Sequence, residues 1–337
     1  MNKYYRPLTH RAFQWIADKL CVPPVVTGIV CTLLLGGIAL WLAWLIGTVA
    51  DVAAGHLPDI AVRAPVTLYM MVGYLPMAVY YLGRWTTEHF ETIADQFGLN
   101  RQAVLFPRRM TNLLGAIGVF AAYLLFLHRP DQPLVLFQPL RWTADFVFPL
   151  VGLVFMGWFN FRFMFLLVWT AVAISRTARH IHSIDLLDTN LVKPYAQHGV
   201  RSSLLAVVSL SISANLWLDP NSPTIGTVTT LVTLVGAAVL ALILPTWGIH
   251  QRLKALKQSE LKQIREAIVS RRDPRTRSVD DAQQLRADLA LEQRLMDVSE
   301  WPFDAGSYGR VALYVFLGLG SWVGAALVER LLEALGT

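Results

Sequence analysis

Residues 146–175 read FVFPLVGLVFMGWFNFRFMFLLVWTAVAIS. A helix needs about 20 apolar residues to cross a hydrocarbon core of ~30 Å. This stretch is therefore about ten residues too long for one crossing, and just long enough to raise the alternative of two short, closely packed spans. The choice sets the topology of everything that follows, and charge decides it. With one crossing the chain has seven spans, near 25–50, 64–83, 113–128, 146–175, 202–218, 224–247 and 311–328. One set of alternating segments then holds 24 Lys and Arg: four before the first span, four in 84–112, four in 176–201 and twelve in 248–310. The opposite set holds only Arg63, Arg129, Arg141 and Arg330. Two crossings would put the twelve-charge segment outside, against the bias that retains Lys and Arg in the cytoplasm. The reading is seven spans, amino terminus in the cytoplasm and carboxyl terminus outside.

Composition agrees with the class. Of 337 residues, 55% are hydrophobic and 15% are Asp, Glu, Lys or Arg, with a mean hydropathy of +0.46. An ordinary soluble domain carries about 25% charge. The long continuous apolar runs exclude a β-barrel, whose strands alternate over about ten residues. The expected fold is all-α: a polytopic membrane protein of the bacterial inner (plasma) membrane type with a cytoplasmic helical hairpin or bundle. The net charge of +6 belongs to topology, and no nucleic-acid partner is expected. Cys21 and Cys31 would stand about 15 Å apart along one helix, too far for a disulfide. The start lacks an A-x-A-like site behind its basic residues, so no cleavable signal peptide is expected.

Residues 1–24 form the first expected unit, a cytoplasmic amphipathic helix with Phe13, Ile16 and Leu20 opposite Arg11 and Lys19. Residues 25–247 carry spans one to six with cytoplasmic extensions. The pattern of the second span runs on through Phe90, Ile93 and Phe97 until Gly98 can end it. Residues 248–308 form a helical hairpin. Leu253, Leu256, Leu261, Ile264 and Ile268 keep to one side of its first arm. RRDPRTR breaks that arm, and Ser278 with Asp281 opens a return helix through Leu285, Leu289, Leu295 and Met296. The extensions after spans two, four and six have the pattern to bundle with this hairpin. Residues 309–337 hold the last span.

That last span is lopsided. On a helix, Gly318, Gly320, Ser321, Gly324 and Ala325 share one arc, and Phe316, Leu319, Trp322, Val323 and Leu327 cover the other. Lipid tails are as apolar as Leu, so association in a bilayer depends on close backbone approach, which a small-residue face permits. Tight packing within one subunit is the favoured reading of this face, with a pore lining as the alternative. Glu329 lies at its outer end. Around an axis of copies it would form an acidic ring that favours cations; alone it is an exposed helix-end acid beside Arg330.

Two further places hold residues able to carry chemistry. Arg162 is the only charge well inside a span, at a cost of about 2.5–3.5 kcal/mol on insertion scales. It reads equally as a structural Arg bonded to helix ends or as a functional group in gating or anion attraction. His180, His182, Asp185, Asp188 and His198 cluster in RHIHSIDLLDTNLVKPYAQHG. His182, Asp185 and Asp188 are candidate metal ligands, although a solvated interfacial patch is the favoured reading. H-E-x-x-H, G-x-S-x-G, Walker A and G-x-G-x-x-G motifs are missing from the sequence, so an enzyme is the less favoured class and no cofactor is expected.

The layout of seven spans, an inside amino terminus, a cytoplasmic helical base and a last span fed from that base resembles the insect chemoreceptor channels. The resemblance is one of plan, without a shared sequence motif. It implies an oligomeric cation pore with the last span near the axis. The alternative is a non-conducting membrane scaffold or signalling partner acting through the 248–308 hairpin. The expected partners are accordingly the lipid bilayer, further copies of the chain and, in the second case, a cytoplasmic protein.

Overall fold

The computed structural model describes residues 24–57, 60–98, 108–127, 144–181, 186, 192–214, 224–271, 279–301 and 309. The expected amphipathic helix at 8–21 and the last span at 311–328 lie outside these residues. Among the described residues all regular structure is helical. Helix α1 spans Pro24–Leu45, α2 Thr48–Ala53, α3 Ile60–Phe97, α4 Arg108–Leu127, α5 Ala144–Thr177, α6 Lys193–Ala214, α7 Thr224–Arg271 and α8 Val279–Asp297. A 3-10 turn, Ala178–His180, follows α5.

The deciding stretch forms a single uninterrupted helix, so two short spans there are excluded. Its 34 residues reach about 51 Å at ~1.5 Å per residue, well beyond a hydrocarbon core of ~30 Å. Helices α3 and α7 are also overlong, at 38 and 48 residues. Gly98 closes α3 with a φ of 63°, the left-handed conformation that glycine enters without a Cβ clash. The first span ends earlier than its apolar run predicts. Gly47 takes a φ of 89° after Leu45 and starts the separate helix α2. Three helices among the described residues are long and apolar enough to cross a membrane, at Val26–Leu45, Ala61–Phe97 and Leu150–Thr177. The chain is a membrane-embedded type of helical protein.

Four helices close a ring in the order α3, α5, α7, α6, each packed on its two neighbours. Helix α1 lies outside against α3, and α4 outside against α5. The ring interior is filled by Met71, Leu75 and Leu82 of α3, Phe163 and Leu167 of α5, Val207 of α6 and Ala241 of α7. A second cluster sits further along the same helices. There Ile93, Ile174, Ile181, Tyr195, Ile249 and Leu253 pack with Leu295 of α8, so the far ends of α3, α5 and α7 converge with the returning helix.

The outer helices leave their apolar faces open. Leu33 and Trp44 of α1 are 63% and 64% exposed, and Leu113 and Phe120 of α4 are each 60% exposed. In water such contiguous apolar surface would cost about 25 cal/mol per Å² and marks a membrane or partner face. At several glycines the contact between helices is backbone to backbone. A Cβ added at Gly118 of α4 would collide with the carbonyl of Gly157 of α5. One at Gly248 of α7 would collide with the Ser175 carbonyl of α5.

Candidate functional site

The waist of the molecule, between the two apolar clusters, carries a group of buried polar side chains. On α3 it falls between Leu82 and Ile93, and on α6 between Tyr195 and Leu205. His89 of α3 and His198 of α6 meet there edge to face, with ring centroids 5.8 Å apart. Both are buried. Arg201 Nη1 approaches His89 Nε2 at 3.2 Å. A guanidinium can only donate, so Nε2 of His89 accepts and its ring proton resides on Nδ1. The Arg201 guanidinium also lies over the Trp85 ring at 5.1 Å, a cation–π contact that offsets part of its desolvation. Ser202 Oγ is 3.4 Å from His198 Nε2, while His198 Nδ1 has no hydrogen-bond partner. Burial first, then the repulsion a protonated His198 would meet from His89 in its protonated form and from Arg201, hold His198 down to about 3, so it is neutral at physiological pH.

Tyr195, three residues before His198, closes the lower side. Thr177 Oγ1 donates to the Ile174 carbonyl at 2.6 Å. Its proton is thereby used, so the Tyr195 hydroxyl is the donor in their 2.9 Å contact. Burial pushes this phenol up to about 12.

A second group of polar contacts fastens α7 to its surroundings where the helix leaves the ring. Gly248 N–H donates to Ser175 Oγ at 3.1 Å, and Arg252 Nε donates to the Ile181 carbonyl at 2.8 Å. His250 Nδ1 donates to the Glu300 carbonyl at 2.9 Å. Its ring stacks on Trp301 at 4.1 Å with 12° between planes, and Trp247 flanks Trp301 at 6.3 Å. Lys257 Nζ donates to the Met296 and Val298 carbonyls at 2.8 and 2.7 Å, satisfying acceptors left open at the end of α8. Further out, Arg265 pairs with Glu292 at 2.6 Å.

Arg162 lies in the seam between α4 and α5, 5% exposed, with its guanidinium 5.2 Å from the Trp158 ring centroid. Gly115 of α4 faces Trp158 and the Arg162 stem, and a Cβ there would stand 3.1 Å from Arg162 Cδ. Because α4 packs on the outside of the ring, this is a position remote from the waist. Gly318, Gly320, Ser321, Gly324, Ala325 and Glu329 lie outside the described residues, as do His182, Asp185 and Asp188. Among the described residues no group of three His, Cys, Asp or Glu could hold a metal ion.

His198 corrects one expectation. The sequence places it with a solvated histidine-rich patch, yet it is 1% exposed. It shares a helical face with Tyr195 and Ser202, at the i−3 and i+4 positions, and that face turns into the ring. His89 escaped notice because a single histidine within TTEHFET has no motif; only the α3–α6 contact pairs it with His198. The i,i+4 spacing of His198 and Ser202 was the available signal.

No protein-family model, no curated protein and no solved structure matches this chain.

Proposed function

We propose that the chain is a seven-span protein of a bacterial-type plasma membrane, amino terminus inside and carboxyl terminus outside. In this reading it assembles with copies of itself into a cation-preferring channel with the last span nearest the axis. One observation carries the proposal. Helix α8 returns the chain to the level at which α7 leaves the ring, and Trp301 is held there on His250 and Trp247. The apolar run at 311–328 follows ten residues later in the sequence, and in this reading it crosses the bilayer as the last span. The ring of a single subunit is filled by side chains, which leaves a seam between copies as the place for a conduction path. The small-residue arc of the last span suits such a seam, and Glu329 would supply an acidic outer mouth.

The test is current across planar bilayers containing the purified full chain. Gly320→Leu and Gly324→Leu should abolish conductance or assembly, and Glu329→Gln should lower cation preference with assembly intact. Unchanged currents in both glycine variants would sink the reading. A subunit count from images of the detergent-purified particle tests the oligomer separately.

A second reading, a scaffold acting through the hairpin, is favoured by its exposed apolar side chains. Val269 is 71% exposed, and Leu289, Leu291 and Met296 are also exposed. Removing residues 265–291 in favour of a short linker would then abolish partner binding and leave any current intact. The cut starts after Ile264 because Ile249 and Leu253 belong to the lower core and Leu261 and Ile264 pack against it.

A further inference from the structure

The waist contains a contradiction that only the neutral state of its histidines resolves. His89 and His198 sit ring to ring at 5.8 Å, and the Arg201 cation is 3.2 Å from His89 Nε2. We propose that His89 and His198 form a proton-operated switch on the α3–α6 edge of the ring, in which acid displaces Arg201 and loosens that edge.

The chemistry is local. Arg201 has donors only, so its contact with His89 needs the Nε2 lone pair. A proton taken up at His89 Nε2 occupies that lone pair, ends the hydrogen bond and sets an imidazolium against a guanidinium. Arg201 must then leave the His89 ring, and its place over Trp85 goes with it. The other charged or titratable groups acting on the pair are Glu88 on α3, which favours the charged form of His89, and His198 with Arg201 on α6. Glu88 is itself engaged by Arg84 at 2.7 Å on the same helix, so it offers Arg201 little alternative anchorage.

His198 adds to the same response. Its Nδ1 is buried without a partner, so a proton there has no acceptor until the edge opens to water. The sign follows from linkage. Its folded value, about 3, lies below the ordinary 6.5, so between those limits the folded chain binds fewer protons than the unfolded one. Closure of the waist is therefore complete above about pH 6.5 and weakens as pH falls toward 3. Elsewhere along the α3–α6 edge the described cross-helix anchors include the Tyr74 hydroxyl on the Leu205 carbonyl and Ser213 Oγ on Met71 Sδ at 3.7 Å, both nearer the ring core than the histidine pair. This switch does not depend on whether the chain conducts.

The experiment is a distance measured between spin labels on Thr92→Cys of α3 and Lys193→Cys of α6, both at exposed positions. It uses the full chain in nanodiscs with the native cysteines replaced, across pH 7.5 to 3. The distance should lengthen or its distribution broaden on acidification. His89→Gln with His198→Gln should hold the neutral-pH distance throughout. Arg201→Gln keeps a donor for His89 Nε2 and removes the opposing charge, so its transition midpoint should rise by about one pH unit. A constant distance in the parent protein overturns the switch. So does a histidine double variant that still responds, or an Arg201→Gln midpoint that does not rise. If the double variant fails to fold, His89→Gln alone decides: it should remove most of the response, and a transition of unchanged midpoint and amplitude overturns the switch.

Discussion

The seams by which the outer helices join the ring and the base below the ring hold together differently. At those seams helices meet through glycine: Gly118 of α4 against Gly157 of α5, and Gly73 of α3 against the backbone of Cys31 and Thr32 in α1. In the base they meet through large side chains, among them Ile93, Ile174, Ile249, Leu253 and Leu295. Side chains bonded to carbonyls, Arg252 to Ile181 and Lys257 to Met296, reinforce them. The difference is the one expected of seams that face lipid and a base that faces water. Against lipid, burying a leucine gains little because the alternative neighbour is equally apolar, so helices associate by close approach. Against water the hydrophobic term operates, and every buried Ile or Leu contributes.

The contrast can be broken at its strong end. Ile249→Ala removes a fully buried side chain from the base and should cost about 2–5 kcal/mol. Leu33→Ala, on the open face of α1, should change stability by less than about 0.5 kcal/mol. Thermal unfolding of the two variants in the same detergent measures both, and equal losses would mean that the base is not the water-bounded part. Next in size is Gly118→Ala. The added methyl meets the Gly157 carbonyl, and overpacking of this kind costs about 1–3 kcal/mol. A fully stable variant would show that close approach is dispensable at the α4–α5 seam. Smallest is Arg265→Ala at the outer hairpin. Its partner Glu292 is partly buried but Arg265 is exposed, so about 0.2–1 kcal/mol is expected, with the change confined to the hairpin by hydrogen exchange.

Much of this was legible in advance. Apolar period and length announced α3 through Phe97, and Gly98 its end, because a glycine can take a φ of 63° there. The end of α7 at Arg271 and the start of α8 at Val279 fall where the turn and capping residues of the sequence put them. The split at Gly47 was not legible, since a glycine inside a long apolar run is as compatible with a span as with a stop. Nor was the waist. Nothing in the spacing of His89 and His198, or of Trp85 and Arg201, relates residues 109 and 116 positions apart in the chain.

Composition and periodicity by themselves determined that this chain is helical, membrane-embedded in type, and that residues 146–175 continue beyond a single bilayer thickness. Those properties depend on what each segment can satisfy alone: its backbone hydrogen bonds and its preference for lipid or water. Which helices became neighbours was decided by tertiary structure. Ring order, the seam that shelters Arg162 and the meeting of two histidines with one arginine all arise from where backbones can approach, a property of pairs of surfaces that one strand of letters does not encode locally.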